Sequence, residues 1–356
     1  MSDPAGGTID LAEEFLGRRT PMQRLQVTLH RYPYLSPLIV LIVALVIFAL
    51  INPKFILPGN LSFITQQTVV IGTLAIAQTL IILTAGIDLS IGAIMVFGQM
   101  VMANLALTAA SNATNFGLPP WLAITIGICA SILAGAINGF LIVKLSLPPF
   151  IVTLGTLSVF TALTLILFKA RTIQGPEMPD LLKVMGVAIK IGSFQLMVGV
   201  IVMLVLFAVF TYVLRMTSWG THIYAVGDDP QAAELSGIST KRVLFSVYVV
   251  AGFITGIGAW IYIGRTGAAS PNADPSINLD TITAVVIGGT SLFGGRGTLI
   301  GSLLGAFIVV VVENGLALAG LDQAYRVLAI GILVIAAVAL DQWIRRCAHE
   351  HSSPGP

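Results

Sequence analysis

From Leu89 to Val143 the chain carries no Asp, Glu, Lys or Arg, and apolar runs of similar character recur along most of its length. A bilayer core is about 30 Å thick, and about 20 helical residues cross it. Of the 356 residues, 56% are hydrophobic and only 10% are charged. A soluble domain carries roughly 25% charged residues, so this chain could not cover its own surface in water. Its solvent is therefore largely lipid. The fold class expected is an all-α polytopic membrane protein.

Apolar runs between polar or Pro/Gly breaks give ten candidate spans: 34–51, 62–84, 90–110, 121–143, 150–168, 195–214, 243–264, 279–292, 298–320 and 327–344. The eighth, LDTITAVVIGGTSL, is short and glycine-broken and reads as a half-span. Residues 1–33 form an N-terminal segment, 34–344 the membrane domain and 345–356 a tail. With the N-terminus inside, 11 of the 18 Lys and Arg residues fall on the cytoplasmic side, Arg215, Lys241 and Arg242 among them. Short cytoplasmic loops collect positive charge, so both termini are expected there. The first thirty residues mix Asp, Glu and Arg before any long apolar run, so no secretory signal peptide is expected.

Several function classes are excluded early. A net charge of +2 gives no reason to expect a nucleic-acid partner. Cys129 and Cys347 are too isolated to build a disulfide framework or a metal cluster, and His30, His222, His349 and His351 lie in polar or terminal segments. No bound metal or cofactor is expected. Two loops are long, 169–194 outside and 215–242 inside, and neither is large enough for a catalytic domain. The chain is expected to transport or scaffold, not to catalyse.

Within 215–242, VGDDPQAAELSGI has the marks of a short helix outside the hydrocarbon. Asp229 suits the N-cap, Pro230 the first helical position, and Gln231, Ala232, Ala233, Glu234 and Leu235 continue the helix. Gly237 suits the left-handed residue that ends it. So short a helix is marginal alone and needs a surface to pack on, either its own membrane domain or a cytoplasmic partner. Ala232, Ala233 and Leu235 would make a compact knob for a groove.

GGTSLFGGRGTLIGSLLGA, residues 288–306, is dense in glycine. It lacks the Gly-Lys-Ser/Thr triplet of a phosphate-binding loop. Gly288, Gly289, Gly294 and Gly295 fit a helix break, and Gly297, Gly301 and Gly305 fit close helix packing at four-residue spacing.

Polar residues inside the apolar spans are few. Asp88 lies in TAGIDLSIGAIM, where Gly86 can end one helix and Asp88 can accept from the first free N–H groups of the next, with Ser90 and Gly92 following. A charged Asp at the centre of a spanning helix costs about 2.5–3.5 kcal/mol on insertion scales. Non-helical backbone at membrane depth is tolerated only where protein or a wet cavity surrounds it, so this break faces an interior. Asn138, Thr153, Thr156, Asn278 and Asp280 are the other candidates to line a polar path. Thr hydroxyls can also bond to the preceding turn of their own helix.

Four segments, GIDLSIG (86–92), NGFLIVKLSLPPFIVTLGT (138–156), YAVGDDPQAAELSGI (224–238) and AVVIGGTSLFGGRGTLIGSLLGA (284–306), resemble the membrane permease of bacterial sugar ABC importers. The group is the ribose, xylose, arabinose, galactose and fructose type, related to branched-chain amino-acid permeases, and the similarity runs from about residue 38 to 343. The resemblance implies a multi-pass protein of the bacterial inner membrane and a pair of permeases, most simply a homodimer. It also implies a separate cytoplasmic ATPase subunit that binds ATP-Mg, and a periplasmic sugar-binding protein. The helix at 229–237 would dock on the ATPase. Asp228-Asp229 stands where a Gly-Asn pair is common, and Asn278 where an acid often stands. The sugar implied is a pentose or a fructose-like hexose. A proton-coupled sugar carrier is the rival reading, with Asp88 or Glu313 as the cycling acid.

Overall fold

The computed structural model describes residues 34–107, 117–175, 178–274, 276–332 and 335. In chain order its helices are α1 (Leu35–Ile51), α2 (Pro58–Leu83), α3 (Ile91–Ala106), α4 (Pro120–Leu145), α5 (Pro149–Phe168) and α6 (Asp180–Lys183). There follow α7 (Val198–Met216), α8 (Ser218–Asp228), α9 (Pro230–Leu235), α10 (Thr240–Thr266), α11 (Ile277–Ile287) and α12 (Leu299–Leu318). A further helix, α13, is described over 323–332. Six of these, α2, α4, α5, α7, α10 and α12, are long and apolar enough to cross a bilayer. The apolar helices α1, α3 and α11 are shorter. The expected segments 1–33 and 345–356, and most of the span 327–344, lie outside the described residues.

Proline sets four of the starts. Pro58, Pro120, Pro149 and Pro230 each open a helix, where the missing N–H has no partner to lose and φ is already helical. The half-span expected at 279–292 is α11, which stops at Ile287.

Helix α2 is the axis of the fold. Its residues from Thr68 to Leu83 are buried without interruption. It packs against α7, α10, α11 and α12. A polar tie fixes it to α12, with the Thr79 hydroxyl donating to Ser302 Oγ at 2.7 Å.

Helix α4 packs closely along α10, and small residues make it possible. Ser131, Gly135 and Gly139 recur every four residues on α4, facing Gly252 and Gly256 on α10. A Cβ on Gly135 would lie 2.3 Å from the Tyr248 carbonyl oxygen, and one on Gly252 would lie 2.5 Å from that of Ser131. In lipid, where apolar burial drives little helix association, such backbone approach supplies the packing energy. This spacing was open to sequence reasoning, which found a glycine stripe only at 297–305. That stripe needs correction. Gly301 and Gly305 do face α11, with Cβ positions 2.0 Å from Gly288 O and 1.8 Å from Ala284 O. Gly297 precedes the N-cap Thr298 in an extended turn and belongs to no helix face.

The long loops are also more ordered than expected. In 169–197, β1 (Ile173–Gln174) pairs antiparallel with β4 (Ala268–Ala269), and β2 (Ala188–Ile191) forms a hairpin with β3 (Phe194–Met197). The chain is mostly helical, as the all-α expectation has it, and these short strands of two to four residues are additions to it. The loop 215–242 holds two helices, α8 and α9.

Gly135→Val should force α4 and α10 apart. Overpacking of this kind costs about 1–3 kcal/mol. The expected readout is a lower thermal midpoint of the detergent-solubilised permease, with Gly155→Ala, which meets no atom within 4 Å, close to wild type.

Candidate functional site

The break between α2 and α3 is built in two parts. The first ends α2: Gly86 N–H donates to Ile81 O at 3.1 Å and Ala85 N–H to Ile82 O at 2.9 Å. This is the Schellman pattern, whose C′ residue takes the left-handed conformation. Here that residue is Ala85, at φ 60, and not Gly86 as expected from the sequence. Gly86 instead sits in a tight space, where a Cβ would lie 3.0 Å from Ile81 Cγ2 and 3.1 Å from the Tyr248 hydroxyl.

The second part starts α3. Asp88, 3% exposed, accepts the Ser90 N–H at 2.7 Å and the Ser90 hydroxyl at 2.6 Å through Oδ1. Asn138 Nδ2, from α4, donates to Ser90 Oγ at 2.8 Å. The Thr153 hydroxyl of α5 donates to Ile87 O at 3.1 Å, and the Thr156 hydroxyl to Thr153 O at 3.3 Å. Asn278, from the first turn of α11, accepts the Gly92 N–H at 2.6 Å. Gly92 is thus a close-approach position rather than a break, because a Cβ would lie 2.7 Å from the Asn278 oxygen. Asp88, Ser90, Asn138, Thr153 and Asn278 are brought together around one helix start.

Beside that start lies a cavity of about 270 Å³, whose polar lining is Thr161, Asn272, Asp274 and Asn278. Gly92 and Val96 contribute its α3 wall, and no aromatic ring lines it. Asp280 points elsewhere. It accepts from Ser276 Oγ at 2.7 Å and borders a second cavity of about 300 Å³ together with Glu313, Gln323 and Arg326. The sequence did not single out Thr161, Asn272, Asp274 or Tyr248. Tyr248 could have been found as one of two phenols, with Tyr262, in the apolar span of α10.

The second candidate element is α9 and its support. Thr217 caps α8, Trp219 Nε1 donates to Ser246 Oγ at 2.8 Å, and the Tyr224 hydroxyl donates to Gly297 O at 2.9 Å. Burial pushes the Tyr224 phenol above its ordinary range, with the Arg215 charge opposing, so the hydroxyl keeps the proton it donates. Asp229 then caps α9, its Oδ1 accepting from Gln231 N at 2.9 Å and Ala232 N at 3.0 Å. Gly237, at φ 83, ends the helix in the Schellman pattern. The Glu234 carboxylate is engaged by the Thr240 hydroxyl. Gln231, Ala232 and Leu235 point outward, and Leu235 is 92% exposed. Ala233 does not belong to the outward knob, because it is buried against the protein's own helices.

Asp88→Asn keeps an oxygen for Ser90 and removes only the charge, and transport should stay within about threefold of wild type. Asp88→Leu leaves the Ser90 donors buried without that acceptor, at about 1–3 kcal/mol for each unsatisfied group. The yield of folded, monodisperse permease should fall for Leu and not for Asn.

The family described as branched-chain amino acid transport system / permease component matches residues 60–338. The chain is 42% identical over 348 residues to the fructose import permease protein of Rhizobium meliloti, covering 97% of this chain and 95% of that one. It is 36% identical over 308 residues to the ribose import permease protein of Bacillus subtilis, with 86% and 92% covered. To the D-allose transport system permease protein of Escherichia coli it is 33% identical over 309 residues, with 86% and 91% covered. No solved structure matches the chain. A helical membrane domain with a broken-helix interior and a helix presented at one face thus belongs to this family of transport-system permease components, which are multi-pass membrane proteins.

Proposed function

We propose that this chain is the membrane permease subunit of an ATP-driven importer for a monosaccharide, a pentose or a fructose-like hexose. The observation that carries this reading is α9. It is capped at both ends and held by α8, and it presents Leu235 to solvent. A single-chain carrier has no use for such a helix. In an importer it docks on a cytoplasmic ATPase subunit that holds ATP-Mg. The face bearing α8 and α9 is then cytoplasmic, as are both termini, and a periplasmic sugar-binding protein delivers substrate to the face bearing β1–β4. A second copy of the chain completes the pathway, most simply as a homodimer in the inner membrane.

The relatives named for fructose, ribose and allose import support the substrate class. So does the chemistry of the smaller cavity. Thr161, Asn272, Asp274 and Asn278 offer hydroxyl, amide and carboxylate groups to a polyol, while no aromatic face is present to hold a pyranose ring tightly. Weak holding suits a site that must release its ligand on the far side. Asp88, Ser90, Asn138 and Thr153 shape the inner end of this path by fixing where α3 begins. The cycle is alternating access: closure of the ATPase moves the docked helix, and the helices around α2 rearrange.

Uptake of labelled fructose and ribose into vesicles carrying the permease, its ATPase and its binding protein decides the class. It should cease when ATP or the ATPase is withheld while a proton gradient is maintained. Continued uptake under those conditions means a proton-coupled carrier. Leu235→Asp places a charge at a solvent-exposed position and should leave folding unchanged. It should abolish co-purification of the ATPase, and full recovery of the complex would remove α9 from the docking surface.

A further inference from the structure

Two residues before Asp229, the end of α8 touches the end of α2 without any side chain between them. A Cβ on Gly227 would lie 1.7 Å from the Leu83 carbonyl oxygen and 2.7 Å from Gly295 N. That same Leu83 oxygen accepts the Gly295 N–H at 3.0 Å. A Cβ on Gly295 would meet Asp228 Cα at 2.8 Å, and one on Gly294 would meet Gly227 O at 2.5 Å and Ala85 Cβ at 2.9 Å. Three backbone segments, the ends of α8 and α2 and the turn 288–298, are therefore stacked directly on one another.

Side chains between elements can change rotamer and absorb a displacement. Backbone in direct contact cannot, because a shift of one segment either clashes with its neighbour or breaks the Leu83–Gly295 hydrogen bond. Both neighbours of α8 at this junction lead to the start of α3. Along one, α2 ends at Ala85 and Asp88 follows three residues later, holding Ser90. Along the other, the turn 288–298 closes α11, whose Asn278 holds the Gly92 N–H. Ala85 is one of four non-glycine residues at positive φ among the described residues, the others being Ser146, Lys169 and Ala170 after α4 and α5. The same Schellman ending recurs at α9, α11 and α12 with Gly237, Gly289 and Gly320 at C′, and among these described Schellman endings that of α2 alone places a residue with a Cβ there. The Cβ narrows the conformations open to the turn, and so stiffens it where a glycine would let it flex.

We propose that Gly227, Gly295 and Ala85 are positioning residues that carry a displacement of the docked helix α9, as a rigid backbone contact, to the start of α3 beside the sugar cavity. This rests on the docking reading of α9 given above.

The test uses the reconstituted importer in proteoliposomes, with its ATPase and binding protein, and whichever of fructose and ribose the wild type accumulates. Two quantities are read: sugar moved per ATP hydrolysed, and the thermal midpoint of the complex. Ala85→Gly removes the positive-φ penalty, so a residue with a purely structural role would show an equal or raised midpoint and unchanged coupling. The proposal expects the same midpoint behaviour with sugar per ATP lowered about fivefold, the size of change typical of coupling positions. Gly295→Ala adds bulk against Asp228 and should lower the ratio likewise, with the ATPase still bound. Gly59→Ala, with no atom within 4 Å, is the control and should match wild type. An unchanged ratio in folded Ala85→Gly overturns the proposal, whatever Gly295→Ala does to folding. Wild-type uptake that needs no ATP overturns instead the importer reading on which it rests.

Discussion

Non-helical backbone between Thr84 and Ser90 sits inside a domain whose solvent is lipid, and every polar group of that backbone needs a partner from protein. The partners come from almost every neighbouring element. The carbonyls of α2 accept three N–H groups at its own end, α5 supplies the Thr153 hydroxyl to Ile87 O, and Asp88 with Ser90 closes the start of α3. Asn138 of α4 completes the hydroxyl network, and Asn278 of α11 takes the next free N–H of α3. Satisfying one seven-residue turn thereby fixes the mutual positions of α2, α3, α4, α5 and α11. Asp88, Ser90, Asn138, Thr153 and Asn278 lie where they do because the break exists, and a polar cavity opens beside it among apolar helices.

Helix positions were legible in the sequence because a lipid-exposed helix must be uncharged over a length fixed by the bilayer, and breaks must carry proline, glycine or a capping carboxylate. Pro58, Pro120 and Pro149 mark starts directly. Helix α9 was legible for the same local reason, since Asp229, Pro230 and Gly237 each act within a few residues of their own position. What failed was long-range. Ala233 reads as an outward knob until tertiary packing turns it inward, and α8 was hidden in a loop because its amphipathic pattern is short. Gly86 looked like the helix terminator because glycine costs least at positive φ, yet Ala85 takes that conformation and Gly86 packs tightly beside Ile81 and Tyr248, the latter 162 positions away. The cavity lining from 272 to 274 carries no periodic signal at all.

The two parts of the site have opposite mechanical requirements, and the sequence meets them with different chemistry. Around the cavity, contacts are single hydrogen bonds between side chains and backbone, such as Asn278 to Gly92, which can exchange partners at a net cost of about 1 kcal/mol each. That suits a region that must rearrange for a sugar to pass. Between α8, α2 and the 288–298 turn, and again between α4 and α10 and between α11 and α12, contacts are glycine-mediated backbone approaches below the distance at which any side chain could intervene. Those pairs can move only together. A domain in which rigid pairs hinge about a turn held by exchangeable hydrogen bonds can open to either side of a membrane without exposing unpaired backbone to lipid, which is the physical condition that any permease of this kind has to meet.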